Sequence, residues 1–404
     1  MDETNLFLSS GSKKTKKKKV KKNYSHTKTL STSTLKIDNI IIVFLIFTSI
    51  FFIIKIQKLK KGLKKVNNNS EKIAIKSNDN IKLNNTVYDE KKPTKRLFQY
   101  KEDIIDKNNN KSEIHISMAI DNFYNYPTLV SMTSILENNN KEKNIVVFHL
   151  LLSYNYNTTN IYIFESLKKN YEVKINYYII PHIFKNFRTW SDKTDCIYYK
   201  ILLPIILSDL DRIIYLDADT LTFKDLYEMY NLPFNDNYIL GYPFQDVQKI
   251  DRFVQNATTY INGGVILLNI EKIREDKKDV ELIQCTLENN ADLWFLEQDS
   301  MNVVFHNKVG ILPLKYGIYL YGTIQTFENS YESRLRIKLN KEELIKAIDD
   351  PSVVHLACCN PKVWNKYSRN DFGDDEICDR FRKDFYYFAN KTSFYNEIYD
   401  KYMN

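Results

Sequence analysis

The apolar residues in the C-terminal two-thirds of the chain follow two alternating patterns. Short continuous apolar runs such as Asn144–Leu152 are typical of strands that are buried on both faces of a sheet. Stretches such as Pro127–Glu137 carry apolar residues three or four positions apart, which is typical of a helix. The same patterns predict strands at Ile114–Ile120, Glu172–Ile180 and Arg212–Leu216 and helices at Thr159–Asn170, Cys196–Leu207 and Asp374–Asn404.

This order of elements predicts a fold class. Strands that alternate with helices imply crossover connections, so we predict an α/β fold with a mainly parallel sheet and helices on both of its faces. In such sheets, ligands bind beyond the carboxyl ends of the strands. The residues that follow predicted strands are therefore the first candidates for a functional site.

The N-terminal part of the chain has a different pattern. Ile40–Ile54 contains no charged residue, and Ile56 extends the run past Lys55. A spanning helix needs about 20 residues and at least roughly 17, so the run is short unless flanking lysines lengthen it. We interpret residues 40–56 as a transmembrane signal anchor, with a cleaved signal peptide or a buried core helix as alternatives. The longer basic run precedes this segment, which predicts a single-pass type II protein of the ER or Golgi membrane with a lumenal C-terminal part.

Composition divides the chain into further parts. Residues 1–39 form a basic tail, and residues 57–112 are so rich in Lys, Asn, Asp and Ser that they are predicted to be a stem. Residues 113–404 are predicted to form one folded domain. The formal net charge is +8, but lysines crowd residues 13–22 and 55–65, outside that domain, so no nucleic-acid partner is expected. The five cysteines show no CxxC spacing, which argues against a structural zinc site and leaves one or two disulfides possible.

A pair of acids follows directly after the predicted strand Arg212–Leu216. Asp217 and Asp219 are two positions apart, and such residues on an extended backbone point to the same side. Carboxylate oxygens are the ligands that Mn²⁺ and Mg²⁺ prefer, and these ions neutralise diphosphate groups. Asp209 and Asp211 have the same spacing but do not end a buried strand. The context therefore favours Asp217 and Asp219 as metal ligands, with a capping or turn role as the alternative.

The region around these acids resembles a known enzyme family. Tyr199–Pro204 and Leu210–Leu221 are similar to the core signature of glycosyltransferase family 8, which includes bacterial lipopolysaccharide glycosyltransferases, glycogenin and eukaryotic xylosyltransferases. The resemblance extends over roughly residues 114–367. It implies a GT-A fold, Mn²⁺ and a retaining transfer of a hexose or pentose from a UDP-sugar to a glycan or glycoprotein acceptor.

The resemblance also assigns residues to the nucleotide part of the donor. In the segment Ile116–Tyr124, Asp121 would bond the uracil base and Tyr124 would stack on it. Ordinary packing is the alternative for Tyr124. Ala218, between the two acids, and Lys200, where many members carry an arginine, are assigned to the nucleotide and its phosphates. Lysine keeps the charge of arginine but not its bidentate geometry.

Further matching segments are assigned to the sugar. Asn262 can donate to a sugar hydroxyl, while Gly263 and Gly264 allow the backbone to approach a ligand closely. The resemblance places Gln298 beside the anomeric carbon and Asp299 on the sugar hydroxyls. The alternatives are a tight strand entry for the first segment and a helix N-terminus with acidic capping residues for the second.

The last matching segment supplies a third metal ligand. The resemblance makes His355 a ligand of the metal and Lys362 a partner of the diphosphate, and imidazole and lysine suit these roles. The sequence departs from the family pattern at some positions. Cys358 replaces the usual glycine, Lys362 falls one residue late, Val363 replaces a proline, and Glu297 stands where aspartate is common.

Other functions remain as alternatives. The altered segment after His355 leaves open a catalytically inactive binding module with the same fold. A sugar-phosphate nucleotidyltransferase is a further alternative, but it predicts a Gly-rich, basic loop after the first strand. Asp121–Pro127 has neither feature. We therefore expect an active glycosyltransferase.

Overall fold

A large sheet forms the centre of the part of the chain that the structure describes. The computed structural model describes residues 98–103, 110–189, 194–244, 250–254, 257, 259–319, 340–357, 362–366 and 375–404. The strands within these ranges are β1 Gln99–Lys101, β2 Ser112–Ile120, β3 Asn144–Leu152, β4 Val173–Ile179, β5 Arg212–Leu216, β6 Thr220–Thr222, β7 Ile239–Pro243, β8 Ile261–Asn269, β9 Val309–Ile311, β10 Tyr316–Tyr319 and β11 Val353–His355.

The strand order of this sheet is β1-β4-β3-β2-β5-β8-β7-β9. The pairs β4–β3, β3–β2, β2–β5 and β7–β9 are parallel, whereas β8 lies antiparallel to both β5 and β7. The apolar strand β3 is buried along its whole length because it packs on both faces. The predictions of an α/β class and of a mostly parallel sheet are confirmed, and each predicted strand is present to within about two residues.

The edge strand β1 lies in the range that the sequence assigns to the stem. It pairs antiparallel with β4, so the folded region begins before residue 113. Its surroundings in the sequence are polar, and an edge strand of three residues leaves little periodic signal. The basic tail, the predicted anchor at residues 40–56 and most of the predicted stem lie outside the described residues. Within the described ranges, no helix combines the length and the apolar character that crossing a membrane requires.

The helices differ more from the predictions than the strands do. Within the described ranges, the α-helices are α1 Asn125–Asn138, α2 Ile161–Glu165, α3 Leu203–Ile206, α4 Tyr227–Tyr230, α5 Ile270–Glu275, α6 Lys278–Asn289, α7 Glu297–Val304, α8 Lys341–Asp349, α9 Asp375–Ala389 and α10 Tyr395–Met403, and 3₁₀ segments cover Thr158–Asn160, Ser166–Lys169 and Asp195–Leu202. The predicted helix at Thr159–Asn170 is therefore broken into short pieces.

Two other predicted helices are also divided. The helix predicted at Cys196–Leu207 is a 3₁₀ segment followed by α3, in whose first turn Pro204 provides no backbone N–H for a helical hydrogen bond. The helix predicted at Asp374–Asn404 is two helices. Thr392 lies in the turn between α9 and α10, where its hydroxyl donates to the carbonyl of Ala389 and accepts from the N–H of Phe394.

Apolar cores lie on both faces of the sheet. On one face, α1 packs against β2, and α9 packs against α1, with Ile116, Leu129 and Phe385 in the same cluster. On the other face, β5 packs against the 3₁₀ segment Asp195–Leu202 and α5. The prediction of helices on both faces is confirmed. Phe381, Phe385 and Phe388 of α9 are all buried in the first cluster.

A small second sheet, of order β10-β11-β6, lies where β5 ends. In this sheet β11 pairs antiparallel with β6, and His355 is opposite Thr220. The N–H of Leu356 donates to the carbonyl of Asp219 at 2.7 Å. This pairing carries a residue from the C-terminal part of the chain to the acids that follow β5.

Candidate active site

The local backbone presents Asp217 and Asp219 at the end of β5. The N–H of Asp217 donates to the carbonyl of Gly264 at 2.7 Å, which extends the β5–β8 ladder by one residue. The chain then turns, and the hydroxyl of Thr220 donates to the carbonyl of Asp217 at 3.0 Å. Asp219 is buried, whereas the side chain of Asp217 is 29% exposed. The acids are therefore held by backbone bonds at the carboxyl end of a central strand, where ligands of such sheets bind.

His355 meets both acids. Its Nε2 atom lies 3.2 Å from Oδ1 of Asp219 and 3.5 Å from Oδ2 of Asp217. One ligand atom from each of the three residues lies within 4.8 Å of the others. Two carboxylate oxygens and one imidazole nitrogen form a donor set that fits a divalent ion such as Mn²⁺.

In each carboxylate, a lysine contacts the outer oxygen, which is the oxygen that does not face His355. Lys200 Nζ lies 3.2 Å from Oδ1 of Asp217, and the hydroxyl of Tyr215 donates to the same oxygen at 3.0 Å. Lys362 Nζ lies 2.6 Å from Oδ2 of Asp219. Because the outer oxygens are held in this way, the inner oxygens of both carboxylates face His355.

The charges of these groups stabilise one another. Burial by itself would raise the pKa of Asp219, but the neighbouring Lys362 and His355 outweigh it and hold that pKa well below its usual range. Burial would lower the pKa of Lys200, but Asp217 and Glu297 raise it. Asp219 is therefore ionised and Lys200 is charged at neutral pH, which suits a site for a cation and a diphosphate.

Gly264 leaves the space that His355 occupies. A Cβ atom at this position would lie 2.2 Å from Cε1 of His355 and 2.7 Å from Oδ2 of Asp217. Real Cβ atoms essentially never come that close to a neighbour. The sequence predicted that the backbone here lies close to a bound substrate. In the structure, the backbone of Gly264 lies close to the side chains of His355 and Asp217.

The cavity on one side of this centre is lined by the residues that were assigned to the nucleotide, except Lys200. Its walls include Asp121, Tyr124, Ala218, Asp219 and Lys362. The Asp121 carboxylate accepts the N–H groups of Phe123 and Tyr124 at 2.8 and 3.2 Å, which orders the turn before α1. The ring of Tyr124 lies edge-on to that of Trp364, with centroids 6.1 Å apart.

A second cavity lies on the other side. Its walls include Lys200, Asn262, Gly263 and Gln298, four of the residues assigned to the donor. Asp217 and His355 line both cavities, so the three converging ligand atoms lie where the cavities meet.

Asp299 has a different position from the one expected. Its side chain is 0% exposed, and it is not among the residues lining either cavity. One carboxylate oxygen accepts from the hydroxyl of Tyr260 at 2.5 Å and the other accepts from the N–H of Phe295 at 2.8 Å. The role of holding sugar hydroxyls is therefore revised, because the carboxylate is turned into the protein.

Sequence reasoning missed three aromatic residues of the site. Phe244 and Phe295 line the second cavity, and Tyr215 supports Asp217 from the first. Tyr215 could have been found, because residues two apart on a strand point to the same side. Phe244 and Phe295 left no such signal, since both lie in loops whose positions depend on tertiary contacts.

Comparison with known proteins decides the family. The profile of Glycosyl transferase family 8 matches residues 115–368, which is more than half of the chain. The chain belongs to glycosyltransferase family 8. It is 25% identical over 288 residues to a lipopolysaccharide 1,2-glucosyltransferase of Escherichia coli, covering 68% of this chain and 81% of that protein. It is 27% identical over 132 residues to glucoside xylosyltransferase 2 of Xenopus laevis, covering 28% and 31% of the two chains.

Solved structures of glycosyltransferases have the same fold. The galactosyltransferase LgtC, in complex with donor and acceptor sugar analogues, superposes with a TM-score of 0.55 at 17% identity, over 69% of this chain and 96% of that one. The bifunctional glycosyltransferase WbbM gives a TM-score of 0.55 at 19% identity, over 74% of this chain and 53% of that one. The GT-A fold that the resemblance implied is supported, and the chain is a glycosyltransferase.

Within this family 8 protein, two departures from the family pattern contact each other. Lys200 stands where many members carry arginine and Glu297 where aspartate is common, and Lys200 Nζ lies 3.0 Å from Oε1 of Glu297. Lysine reaches less far than arginine, while glutamate is one methylene longer than aspartate. The lysine–glutamate pair therefore forms a buried ion pair between the 3₁₀ segment Asp195–Leu202 and α7.

Proposed function

We propose that this glycosyltransferase moves a hexose or pentose from a UDP-sugar to a glycan or glycoprotein acceptor, with retention of configuration and with Mn²⁺ or Mg²⁺. The observation that carries the proposal is the convergence of Asp217, Asp219 and His355 at the junction of two cavities. One cavity contains Asp121, Tyr124, Ala218 and Lys362, which were assigned to the nucleotide. The other contains Asn262, Gly263 and Gln298 of the segments assigned to the sugar, together with Lys200.

The metal would be held by Oδ2 of Asp217, Oδ1 of Asp219 and Nε2 of His355. When bound, it supplies positive charge that neutralises the diphosphate leaving group. The chain's own cations add to this effect. Lys362 lines the nucleotide cavity beside Asp219, and Lys200 lines the sugar cavity beside Asp217.

The nucleotide cavity would bind the uridine. Tyr124 offers an aromatic ring for stacking, and Asp121 is fixed at the start of α1 so that its carboxylate can accept from the base. In the sugar cavity, Asn262 and Gln298 present amide groups, and Phe244 and Phe295 present apolar rings. Such a combination of amides and rings binds a sugar by its hydroxyls and by its apolar face.

Retention by attack from the same face is the mechanism that these side chains favour. A covalent route needs a free carboxylate beside the anomeric carbon. In the sugar cavity, Gln298 is an amide, Glu297 is paired with Lys200, and Asp217 belongs to the proposed metal site. Asp299 lies behind them with both oxygens occupied. The acceptor hydroxyl would therefore attack on the face from which UDP departs.

A lumenal, membrane-anchored location is part of the proposal. It is supported by the charge-free run Ile40–Ile54 and by the basic residues that precede it. Cys378 is disulfide-bonded, while Cys196 and Cys285 are free thiols. Disulfides persist in oxidising compartments such as the ER lumen, which agrees with this placement. Protease protection of the C-terminal part in sealed microsomes tests it, and digestion without detergent would contradict it.

The decisive experiment is a panel of UDP-sugars with the full-length chain, in which UDP release is measured with Mn²⁺ and with EDTA. We expect release with at least one UDP-sugar, its loss in EDTA, and its loss in Asp219→Asn, which removes a charged ligand. UDP binding without release for every donor and acceptor would instead identify an inactive binding module. Formation of a UDP-sugar from UTP and a sugar phosphate would identify a nucleotidyltransferase.

A further inference from the structure

We propose that four buried side chains form a one-way hydrogen-bond relay that fixes the tautomer of His355 and holds Nε2 toward the metal. The relay runs from His355 through Asn262, Gln298 and Tyr260 to Asp299. These four are then positioning residues of the metal site, and the proposal rests on the metal role of His355 described above. The direction of every proton in the relay follows from two backbone N–H groups of β8.

The first backbone group fixes the link to His355. The N–H of Gly264 donates to the side chain of Asn262 at 2.8 Å, and a backbone N–H can only donate, so the atom it meets is the amide oxygen Oδ1. The same oxygen lies 3.2 Å from Nδ1 of His355. Since this oxygen only accepts, Nδ1 must carry the proton. When a metal binds, the ring must be neutral, and with the proton on Nδ1 the lone pair of Nε2 is then directed at the space beside Asp217 and Asp219.

The second backbone group fixes the next links. The N–H of Gly263 donates to the side chain of Gln298 at 2.9 Å, which identifies the accepting atom as Oε1. The amide nitrogen of Asn262 donates to the same oxygen at 3.3 Å. The amide nitrogen of Gln298 therefore points the other way and donates to the hydroxyl oxygen of Tyr260 at 3.0 Å.

The relay ends at a buried carboxylate. The hydroxyl of Tyr260 already accepts from Gln298, and it donates to Oδ1 of Asp299 at 2.5 Å. The second oxygen of Asp299 accepts from the N–H of Phe295 at 2.8 Å. Asp299 is 0% and Tyr260 1% exposed, so water does not compete at this end. Every proton in the relay points from His355 toward Asp299.

This arrangement has a consequence for metal binding. A histidine ligand commonly donates its second ring N–H to a neighbouring acceptor, which orients the ring and makes the ligating nitrogen more basic, and loss of that acceptor weakens metal binding roughly 10- to 100-fold. In this chain the acceptor is an amide oxygen whose polarity is reinforced by further hydrogen bonds that end at a carboxylate. Asn262 thus acts on the metal through His355.

The test measures binding of Mn²⁺ to the full-length chain without nucleotide, from the electron paramagnetic resonance signal of free Mn²⁺. We expect Asn262→Leu to weaken binding at least tenfold. Asn262→Asp keeps an oxygen acceptor for Nδ1, so it should bind within about threefold of the wild type or more tightly. Equal affinity of Asn262→Leu and the wild type would overturn the proposal, and so would equal weakening by both variants.

The remote end of the relay has a matched control. Tyr260→Phe removes the hydroxyl two links away from His355, and we expect it to weaken Mn²⁺ binding about threefold. Tyr238→Phe removes a similar tyrosine–aspartate bond, in which Tyr238 donates at 2.7 Å to Asp276 at the C-terminal end of α5, and it should leave Mn²⁺ affinity unchanged. Equal affinities of these two variants would overturn a relay that extends past Asn262.

These outcomes separate the relay from the function on which it rests. A wild-type chain that binds no Mn²⁺ would overturn the proposed metal site and the relay together. A wild-type chain that binds Mn²⁺, with no response to Asn262→Leu or Tyr260→Phe, would overturn the relay alone. Thermal unfolding of each variant identifies any that fails to fold, and the conservative Tyr260→Phe keeps the test decisive if the leucine variant is lost.

Discussion

Replacing Gly264 by alanine should dismantle the proposed metal site by adding a single methyl group. The added Cβ would lie 2.2 Å from Cε1 and 2.7 Å from Nδ1 of His355, and 2.7 Å from Oδ2 of Asp217. Ordinary contacts of a Cβ atom are 3.4–4 Å. The backbone of Gly264 does not have a positive φ, unlike that of Gly317. Alanine at position 264 therefore meets no backbone strain, and the expected effect comes from the overlap of its Cβ atom.

The size of the effect follows from these distances. The imidazole must move by more than about 1 Å to clear the methyl group, and a misplacement of that size at a preorganised site lowers the reaction rate on the order of a hundredfold. We therefore expect UDP release to fall at least about a hundredfold and Mn²⁺ affinity to fall roughly 10- to 100-fold, because the three ligand atoms no longer converge. Overpacking of this kind should also reduce the free energy of unfolding by about 1–3 kcal/mol.

Gly263→Ala is the matched control. The nearest neighbour of its Cβ would be the terminal methyl of Met301 at 3.1 Å, and methionine side chains adapt readily. Mn²⁺ affinity, measured by calorimetry for both variants, should therefore fall in Gly264→Ala and remain near the wild-type value in Gly263→Ala. A Gly264→Ala protein that binds Mn²⁺ as tightly as the wild type would refute the assignment of His355 and Asp217 to one ion.

Other predictions address the nucleotide, the core and acid stability. Lys362→Met should weaken UDP binding roughly tenfold by calorimetry, because a charged partner of the diphosphate is lost; unchanged affinity would remove Lys362 from the phosphate site. Phe385→Ala should lower the free energy of unfolding in urea by about 3–5 kcal/mol, since this ring is buried, while the exposed Tyr387→Ala should change it by about 0.5 kcal/mol or less. The hydrogen bond with His115 lowers the pKa of Glu113 to about 2 from 4.5, so its stabilisation is complete above about pH 4.5 and is lost as the pH falls toward 2. Glu113→Gln should remove on the order of 1 kcal/mol of this pH-dependent stability, measured as the difference between the free energies of unfolding at about pH 5 and about pH 3. An unaltered difference would show that Glu113 is not the source of this stabilisation.

The strands and the acid pair could be read from the sequence because their signals are local. β3 and β5 are continuous apolar runs, and their bounds agree with the prediction. The i, i+2 spacing of Asp217 and Asp219 fixes their common side without any knowledge of distant residues. The resemblance then supplied His355, which neither its spacing nor its surroundings distinguish from a histidine of the core.

The helices show where local signals fail. Thr159–Asn170 has helical spacing, yet it forms a short α-helix between 3₁₀ segments. The strand β1 has almost no signal of its own and exists because β4 offers an edge. In both cases the outcome depends on the neighbouring elements, and tertiary contacts override weak local preferences.

The chain's own sequence thus determined the four strands β2 to β5, the position of the two acids and, through resemblance, the family. Tertiary structure decided what the remaining residues do. Asn262 was expected on the sugar and contacts His355, while Asp299 was expected on the sugar and ends the relay at Tyr260. The physical reason is that hydrogen bonds have a range of about 3 Å, so the role of a buried amide or carboxylate is set by which strand pairs beside it. Here that pairing is β11 with β6 and β8 with β5, and no local pattern encodes it.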